Sequence, residues 1–467
     1  MLAALLLSGL RPAAAQPLPA TVEAALRAAA VAPDEVGIAV LPLAGGKPLL
    51  MHRAQQAYHP ASTMKLVSTY AALSLLGPDY RWTTAFVRRG SLQGEVLEGD
   101  LILRGGGDPK FVVEDMTALV GRLRETGLRE IRGQLVIDDA LYAVGDSAYE
   151  RFDGVPGQPY NVRPFAALMN FKATRVSVRP LAQGLEIRLD PPLAGVPIQN
   201  RIQRIEGPCR EGVQGLIVEE EGPEESPSLR VSGRYSAGCA EQSMMVAVLN
   251  HRQFIEAFFR AAWQAAGGEW TGRAVIERST DPTLPALATW TSPRNLAEVV
   301  RDVNKFSNNV MARQVMLQSS VDPSRRMSGS LERARAAVLR WLERRGLRSP
   351  ELVLDNGSGL SRIERIAPES MARLLLDAAA SEQGPAFIDS LPIAGVDGTM
   401  KSRLRGEPIT GRAWIKTGSL VDVRSIAGYV EAASGRRYAV VMLVNGPRAP
   451  ASGQAQDALL RWVYAQG

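Results

Sequence analysis

The 467-residue sequence predicts an α/β (α+β) fold, in which both ends of the chain form an antiparallel sheet flanked by helices around a β-rich insertion. Strand and helix patterns near the N-terminus, and three alternating segments with a closing helix near the C-terminus, predict the outer part. Short alternating segments between glycine and proline turns predict the insertion. A chain of this length holds about three domains.

The first part of the outer domain is predicted to cover residues 16–78. Segments Glu35–Leu43 and Lys47–Met51 have strand patterns separated by a glycine turn, which predicts a hairpin. A helix is then predicted to begin at Ser62, because apolar residues follow at helical spacing as far as the stop signal Gly77–Pro78. This order places Ser62 at a helix N-terminus.

Residues 79–245 are predicted to be the β-rich insertion. Its predicted strands are Gly94–Leu103, Gln134–Asp138, Arg175–Arg179, Gly184–Leu189 and Ser228–Arg234. The acidic run Glu219–Glu225 is predicted to be a solvated loop.

Residues 246–467 return to helical periodicity and then to strands, and they are predicted to be the second part of the outer domain. The predicted helices are His251–Ala266, Ser292–Ser319, Ser328–Arg345, Glu369–Ala380 and Ala451–Tyr464. The predicted strands are Arg412–Thr417, Val423–Glu431 and Arg437–Val444. The last helix has an apolar stripe that should pack on the sheet.

Residues 1–15 have features of an export signal. The apolar stretch Met1–Leu10 is followed by the small-residue pattern Ala13–Ala15, which is typical of a cleaved signal peptide. Because no lysine or arginine precedes the apolar stretch, an ordinary helix or a start codon further upstream is the alternative. We predict a signal peptide at 1–15 and a periplasmic or otherwise extracytoplasmic location, with no integral membrane span, since no later segment reaches about 18 apolar residues.

Cys209 and Cys239 are the only cysteines. In an oxidising compartment they would form one disulfide, and the alternative is two unpaired buried thiols. Two cysteines and three scattered histidines show no metal-ligand spacing, so we predict no metal and no cofactor. The net charge of +6 comes from scattered residues without a basic run among aromatics, which argues against nucleic-acid binding.

Three short motifs carry the functional prediction, and lysine makes them informative. Only seven of the 54 basic residues are lysines, and two of these stand in the ordered set Ser62-x-x-Lys65, Ser307-x-Asn309 and Lys416-Thr417-Gly418. By chance this composition would produce about half an S-x-x-K and about 0.03 K-T-G, so the ordered set should arise roughly once in several hundred such chains.

Ser62 and Lys65 pair a nucleophile with a base. Three residues apart on a helix, their side chains lie on one face within mutual reach. A serine hydroxyl attacks poorly unless a neighbour removes its proton, and a lysine with a depressed pKa can do so, whereas an arginine cannot. The alternative for an isolated S-x-x-K is a surface helix with a solvated lysine.

Ser307 and Asn309 begin another helical run. A hydroxyl and an amide here can relay a proton between Lys65 and a leaving amine while hydrogen-bonding the substrate backbone. Helix capping by Ser307 is the structural alternative.

Lys416, Thr417 and Gly418 end a strand of alternating character. A cation and a hydroxyl at a sheet edge suit a peptide with a free carboxylate, and glycine lets another backbone approach closely. The backbone N–H groups of Ser62 and Ser419 are the candidates for an oxyanion hole. We expect Lys416 to keep its proton and Lys65 to lose its own.

The three motifs in this order resemble those of the penicillin-recognising serine acyl-transferases, which include penicillin-binding proteins and serine β-lactamases. The gap of about 245 residues between the first two motifs and four further segments are similar to the class C low-molecular-mass penicillin-binding proteins, the DacB-type D-alanyl-D-alanine carboxypeptidases and endopeptidases. These segments are Leu103–Pro109, Asn304–Asn309, Asp355–Arg362 and Gly395–Thr399.

The resemblance implies a β-lactamase/transpeptidase-like domain with inserted domains, which cleaves D-Ala-D-Ala termini or D-Ala cross-links of peptidoglycan. It implies that Ser62 is the acylated nucleophile, Lys65 the base and Ser307 the proton shuttle. The implied substrate contacts are Asn309, Lys416, Thr417, Gly418 and Ser419. The implied partners are peptidoglycan stem peptides, with β-lactam antibiotics as covalent inhibitors. A serine β-lactamase and a non-hydrolytic binder of wall peptides or penicillin are the alternatives.

Overall fold

A computed structural model describes residues 16–145, 152–155, 157–278, 281–322 and 327–466. The predicted signal peptide lies outside these residues. The chain forms two compact units. The terminal unit comprises the described residues of Met1–Val67 together with Gly346–Leu354 and Arg362–Gly467, and the central unit comprises those of Ser68–Arg345 with Asp355–Ser361.

The α-helices of the described residues are α1 (Ala20–Ala28), α2 (Lys65–Leu76), α3 (Val113–Glu125), α4 (His251–Ala265), α5 (Leu296–Phe306), α6 (Asn309–Gln318), α7 (Leu331–Arg344), α8 (Pro368–Ala380), α9 (Gly384–Asp389) and α10 (Gly453–Ala465). None of the helices in this part of the chain is both long and apolar enough to cross a bilayer.

The strands are β1 (Val36–Pro42), β2 (Leu50–His52), β3 (Thr83–Gln93), β4 (Val96–Arg104), β5 (Glu130–Ile131), β6 (Leu135–Asp138), β7 (Thr174–Pro180), β8 (Leu185–Asp190), β9 (Ile198–Pro208), β10 (Leu216–Glu221), β11 (Ser228–Gly238), β12 (Gln242–Val246), β13 (Glu269–Trp270), β14 (Ala274–Glu277), β15 (Ala286–Thr291), β16 (Ala413–Leu420), β17 (Val423–Glu431) and β18 (Arg437–Asn445).

The terminal unit contains a five-stranded antiparallel sheet in the order β16-β17-β18-β1-β2. The N-terminal strand β1 pairs with the C-terminal strand β18, so both ends of the chain build one sheet, as predicted. On β17, Val430 packs with Leu459 of α10, while the adjacent Tyr429 donates its hydroxyl to the carbonyl oxygen of Leu375 in α8 at 2.7 Å. Because successive strand residues face opposite sides, helices cover both faces of this sheet.

The central unit contains one seven-stranded and two three-stranded sheets. Strands β3 to β6 and β13 to β15 form the large sheet, whose core includes Phe86 of β3 and Phe259 of α4. The small sheets have the orders β10-β11-β9 and β12-β7-β8, and they share a core that includes Val176 and Val231. A disulfide joins Cys209, which follows β9, to Cys239, which follows β11.

The large sheet extends beyond the predicted end of the insertion at residue 245. Strand β14 pairs in parallel with β6, and β15 pairs antiparallel with β3. The limits of the compact units therefore do not coincide with the predicted boundaries at 78/79 and 245/246. Pairing between segments more than 130 residues apart leaves no local pattern in the sequence.

Helix α3 was not predicted. Its residues Met116, Leu119, Val120 and Leu123 are buried at helical spacing, and the Asp115 carboxylate accepts a hydrogen bond from the N–H of Val112 at 3.0 Å. Both signals are local, and the β-rich insertion predicted for this region contains this helix as well.

The acidic run Glu219–Glu225 is only partly a loop. Its first three residues belong to β10, where Glu219 lies opposite Arg230 of β11. The guanidinium of Arg230 bonds to the carboxylates of Glu219 at 2.5 Å and Glu221 at 3.1 Å. The cross-strand cation offsets the like-charge repulsion that made a solvated loop the expected structure.

Candidate active site

Ser62 lies in a 3₁₀ turn, Ala61–Met64, that leads directly into α2. The ammonium nitrogen of Lys65 donates a hydrogen bond to the Ser62 Oγ at 3.0 Å. Ser62 is half-buried, whereas the Lys65 side chain has no exposed surface. The three-residue spacing therefore places the amine of Lys65 within hydrogen-bonding distance of the Ser62 hydroxyl, as the motif predicted.

The turn before Ser62 has an unusual backbone. Ala61 has φ +46°, a left-handed conformation that residues other than glycine rarely adopt. The carbonyl oxygen of Pro60 accepts hydrogen bonds from the N–H and hydroxyl of Thr63 at 3.2 and 2.7 Å. The turn thus redirects the chain so that Ser62 leads into the helix.

Strand β16, which carries Lys416 to Ser419, lies at the edge of the sheet of the terminal unit. The N–H of Ile415 donates to the carbonyl oxygen of Pro392 at 2.7 Å, on the side away from β17. Since peptide groups alternate along a strand, the N–H groups of Thr417 and Ser419 face the same outer edge. Ser419 therefore presents a backbone N–H donor at the open edge of the sheet.

Gly418 brings β16 close to the turn of residues 59–64, which contains Ser62. A Cβ atom at this position would lie 2.8 Å from both the Ser62 backbone nitrogen and the Pro60 oxygen, and 2.2 Å from the Ser425 Oγ. Among the residues that the structure describes, no acceptor is bonded to the N–H of Ser62. Two backbone donors, from Ser62 and Ser419, are thus available in one region, an arrangement that can stabilise an oxyanion.

Lys416 is fully buried, and its ammonium donates to the carbonyl oxygen of Thr417 at 2.7 Å. Burial lowers the pKa of Lys416 to about 7, because desolvation penalises the charged amine. This differs from the expectation that Lys416 keeps its proton throughout. A substrate carboxylate beside the amine would raise this pKa and restore the charge.

Ser307 and Asn309 lie in the central unit, at the junction between α5 and α6. Ser307 has φ +58° and ends α5, so the helical pattern predicted for residues 292–319 forms two helices. The cap of α6 is Asn308, whose side chain accepts a hydrogen bond from the N–H of Met311 at 3.0 Å. Ser307 is therefore the C-cap of α5 and not the N-cap of α6. A strained serine between two helices marks a functional candidate.

In the part of the chain that the structure describes, no group of three or more histidine, cysteine, aspartate or glutamate side chains could hold a metal ion.

The model of the D-Ala-D-Ala carboxypeptidase 3 (S13) family matches residues 18–466. The chain belongs to this family. A D-alanyl-D-alanine carboxypeptidase from Actinomadura sp. (strain R39) is 28% identical to this S13 protein over 445 residues, which cover 91% of this chain and 80% of that protein. Membership of the family confirms the resemblance drawn from the motifs.

Solved structures similar to this S13 protein include penicillin binding protein 4 (dacB) from Haemophilus influenzae, with a TM-score of 0.79 at 22% identity over 96% of this chain and 100% of that one. The same protein complexed with a β-lactam has a TM-score of 0.74 at 23% identity, over 92% of this chain and 96% of that one. This likeness confirms the predicted fold class.

The motifs of this S13 protein did not reveal several residues around the site. The hydroxyl of Thr417 donates to the Thr399 hydroxyl at 2.8 Å, and the hydroxyl of Ser425 donates to the Pro60 carbonyl oxygen at 2.5 Å. The Oδ1 of Asn445 accepts a hydrogen bond from the N–H of His59, three residues before Ser62. Only Thr399 had a signal in the sequence, because it ends the segment Gly395–Thr399 that supported the resemblance.

Proposed function

We propose that this S13 protein is a serine acyl-enzyme peptidase that cleaves D-Ala-D-Ala termini or D-Ala cross-links of peptidoglycan. The observation that carries the proposal is the 3.0 Å hydrogen bond from the buried Lys65 amine to the Ser62 hydroxyl, beside the backbone donors of Ser62 and Ser419. Family membership supports the same reaction class, and the β-lactam complex of the H. influenzae protein supports binding of β-lactams, which we propose acylate Ser62.

In the proposed acylation, Lys65 takes the proton of Ser62 while Oγ adds to the carbonyl carbon of the D-alanine on the amino side of the scissile bond. The developing oxyanion accepts hydrogen bonds from the N–H groups of Ser62 and Ser419. The C–N bond then breaks, and the leaving amine takes a proton, for which we propose the Ser307 hydroxyl as relay. Water hydrolyses the ester and returns the proton to Ser62.

For substrate binding, we propose that Lys416 and Thr417 bind the terminal carboxylate and that Asn309 bonds to the substrate backbone. The burial of Lys416 supports this role, because a desolvated ammonium attracts a carboxylate more strongly than a solvated one does. Gly418 would allow the strand edge to remain close to Ser62.

We propose an extracytoplasmic location. The residues that support it are those of the predicted signal peptide at 1–15, and the disulfide between Cys209 and Cys239 suits an oxidising compartment.

Purified sacculi test the function directly. The protein should release free D-alanine or open D-Ala cross-links, and Ser62→Ala should abolish both reactions as well as covalent labelling by a fluorescent penicillin. Intact mass measurement then separates the alternatives. A long-lived penicilloyl adduct together with peptide cleavage supports a peptidase, whereas rapid loss of the adduct without peptide cleavage indicates a β-lactamase. Labelling without turnover of either substrate indicates a binding protein.

A further inference from the structure

The side chain of Asn445, the last residue of β18, holds the backbone of His59 from both sides. The N–H of His59 donates to the Asn445 Oδ1 at 2.6 Å, and the Asn445 Nδ2 donates to the His59 carbonyl oxygen at 3.0 Å. The amide of Asn445 is therefore hydrogen-bonded to both the N–H and the carbonyl oxygen of His59, as the backbone of a neighbouring strand would be. His59 precedes the nucleophile Ser62 by three residues.

The His59 ring forms a further hydrogen bond in this turn, with the backbone of Ala61. Its Nδ1 accepts a hydrogen bond from the N–H of Ala61 at 3.0 Å, a role that requires the neutral tautomer protonated on Nε2. Ala61 is the residue with the left-handed φ of +46°. A sparsely populated backbone conformation persists only when its surroundings hold it, and this hydrogen bond acts on the strained residue itself.

Ser425 of β17 completes the set by donating to the Pro60 carbonyl oxygen at 2.5 Å. Thus the polar backbone groups of His59, the oxygen of Pro60 and the N–H of Ala61 all have partners. Asn445, Ser425 and the His59 ring provide them. The next residue is Ser62, and its N–H has no acceptor among the residues that the structure describes.

We propose that Asn445 is a positioning residue, which acts through the His59–Ala61 backbone to aim the Oγ and N–H of Ser62 at the reacting carbonyl. This inference rests on the proposed acylation of Ser62. Asn445 does not touch the reacting atoms. Its contribution should therefore appear in the rate of the covalent step and leave the preceding non-covalent binding unchanged.

The test separates these two steps for a fluorescent penicillin, using the full-length protein and the variants Asn445→Leu, Asn445→Asp and Tyr429→Phe. Leucine removes both hydrogen bonds, and aspartate keeps only the acceptor for the His59 N–H. Tyr429→Phe is the matched control, because it removes one buried hydrogen bond from the same sheet, to Leu375, without touching the nucleophile turn.

We expect Asn445→Leu to lower the first-order acylation rate about 10- to 100-fold, since misplacement by about 1 Å can cost about 100-fold. The acylation rate of Asn445→Asp should lie between the rates of Asn445→Leu and the unmodified protein. For both variants, the dissociation constant of the non-covalent complex with penicillin should stay within about threefold of the value for the unmodified protein. Hydrogen exchange in a peptide covering residues 59–64 should accelerate in Asn445→Leu and not in Tyr429→Phe.

Acylation by Asn445→Leu at the rate of Tyr429→Phe, or unchanged exchange in the peptide 59–64, would overturn the inference. If Asn445→Leu does not fold, Asn445→Asp decides it, and an acylation rate for that variant equal to the control also overturns it. Failure of the unmodified protein to be acylated rejects the proposed function itself, and the inference with it.

Discussion

Replacing Gly418 by alanine should push strand β16 away from the turn that contains Ser62. The added Cβ would lie 2.8 Å from the Ser62 nitrogen and the Pro60 oxygen, where ordinary contacts begin at 3.4 Å. The two backbones must therefore move apart by about 0.6 Å. Its 2.2 Å contact with the Ser425 hydroxyl is also too short, and that hydroxyl is held by the Pro60 oxygen.

The expected loss in activity follows from this displacement. Overpacking of this kind costs about 1 to 3 kcal/mol. A shift approaching 1 Å between a nucleophile and its oxyanion donors lowers a rate by up to about 100-fold, or about 2.7 kcal/mol in the barrier. We therefore expect Gly418→Ala to reduce the rate of acylation by a fluorescent penicillin by about 30- to 100-fold.

The matched control is Gly453→Ala at the start of α10, where an added Cβ meets nothing within 4 Å. This variant should acylate normally. Adding Ser425→Ala to Gly418→Ala should restore little activity, because the contacts with the Ser62 nitrogen and the Pro60 oxygen remain. Acylation by Gly418→Ala within twofold of the unmodified protein, with an unchanged melting temperature, would refute the close approach.

Three further predictions concern the lysines and the disulfide. Lys65→Arg should abolish acylation as completely as Lys65→Ala, because a guanidinium stays protonated; near-normal labelling would reject the base role. For substrates with a free carboxylate, kcat/KM should fall as pH rises through about 7, because Lys416 loses its proton there. Substrates in which this carboxylate is esterified should not show the fall. Identical pH profiles for the two kinds of substrate would contradict the binding of the carboxylate by a protonated Lys416. Replacing Cys209 and Cys239 together by alanine should lower the free energy of urea unfolding by roughly 3 to 4 kcal/mol without changing acylation by the folded protein, and equal stabilities would contradict this.

The substitution of Lys416 by arginine needs a revised expectation. From the sequence it is the milder of the two lysine-to-arginine changes, because the charge is kept. In the structure the Lys416 side chain has no exposed surface. The larger guanidinium group of an arginine would therefore crowd the side chains packed around this position. We expect Lys416→Arg to bind carboxylate substrates more weakly than the unmodified protein at pH 6, measured as a higher KM, and to show no loss of binding as pH rises through 7.

Local patterns predicted most elements of the terminal unit, including β1, β17, β18 and the closing helix. They failed where pairing is distant, as for β14, whose partner β6 lies more than 130 residues earlier. Helix α3 is a different case, since its apolar spacing and its capping carboxylate Asp115 were both visible in the sequence. Helix α3 lies between strands β4 and β5, inside a segment whose other local patterns predict strands.

The short distance between Ser62 and Lys65 could be predicted from the motif alone, because a spacing of three residues on a helical turn sets that distance locally. Three other features depend on the tertiary structure. They are the burial of Lys416, the close approach of Gly418 to the Ser62 amide and the hydrogen bonds of Asn445 to His59. Each of these depends on which strands pair and what covers them, and such contacts join residues hundreds of positions apart.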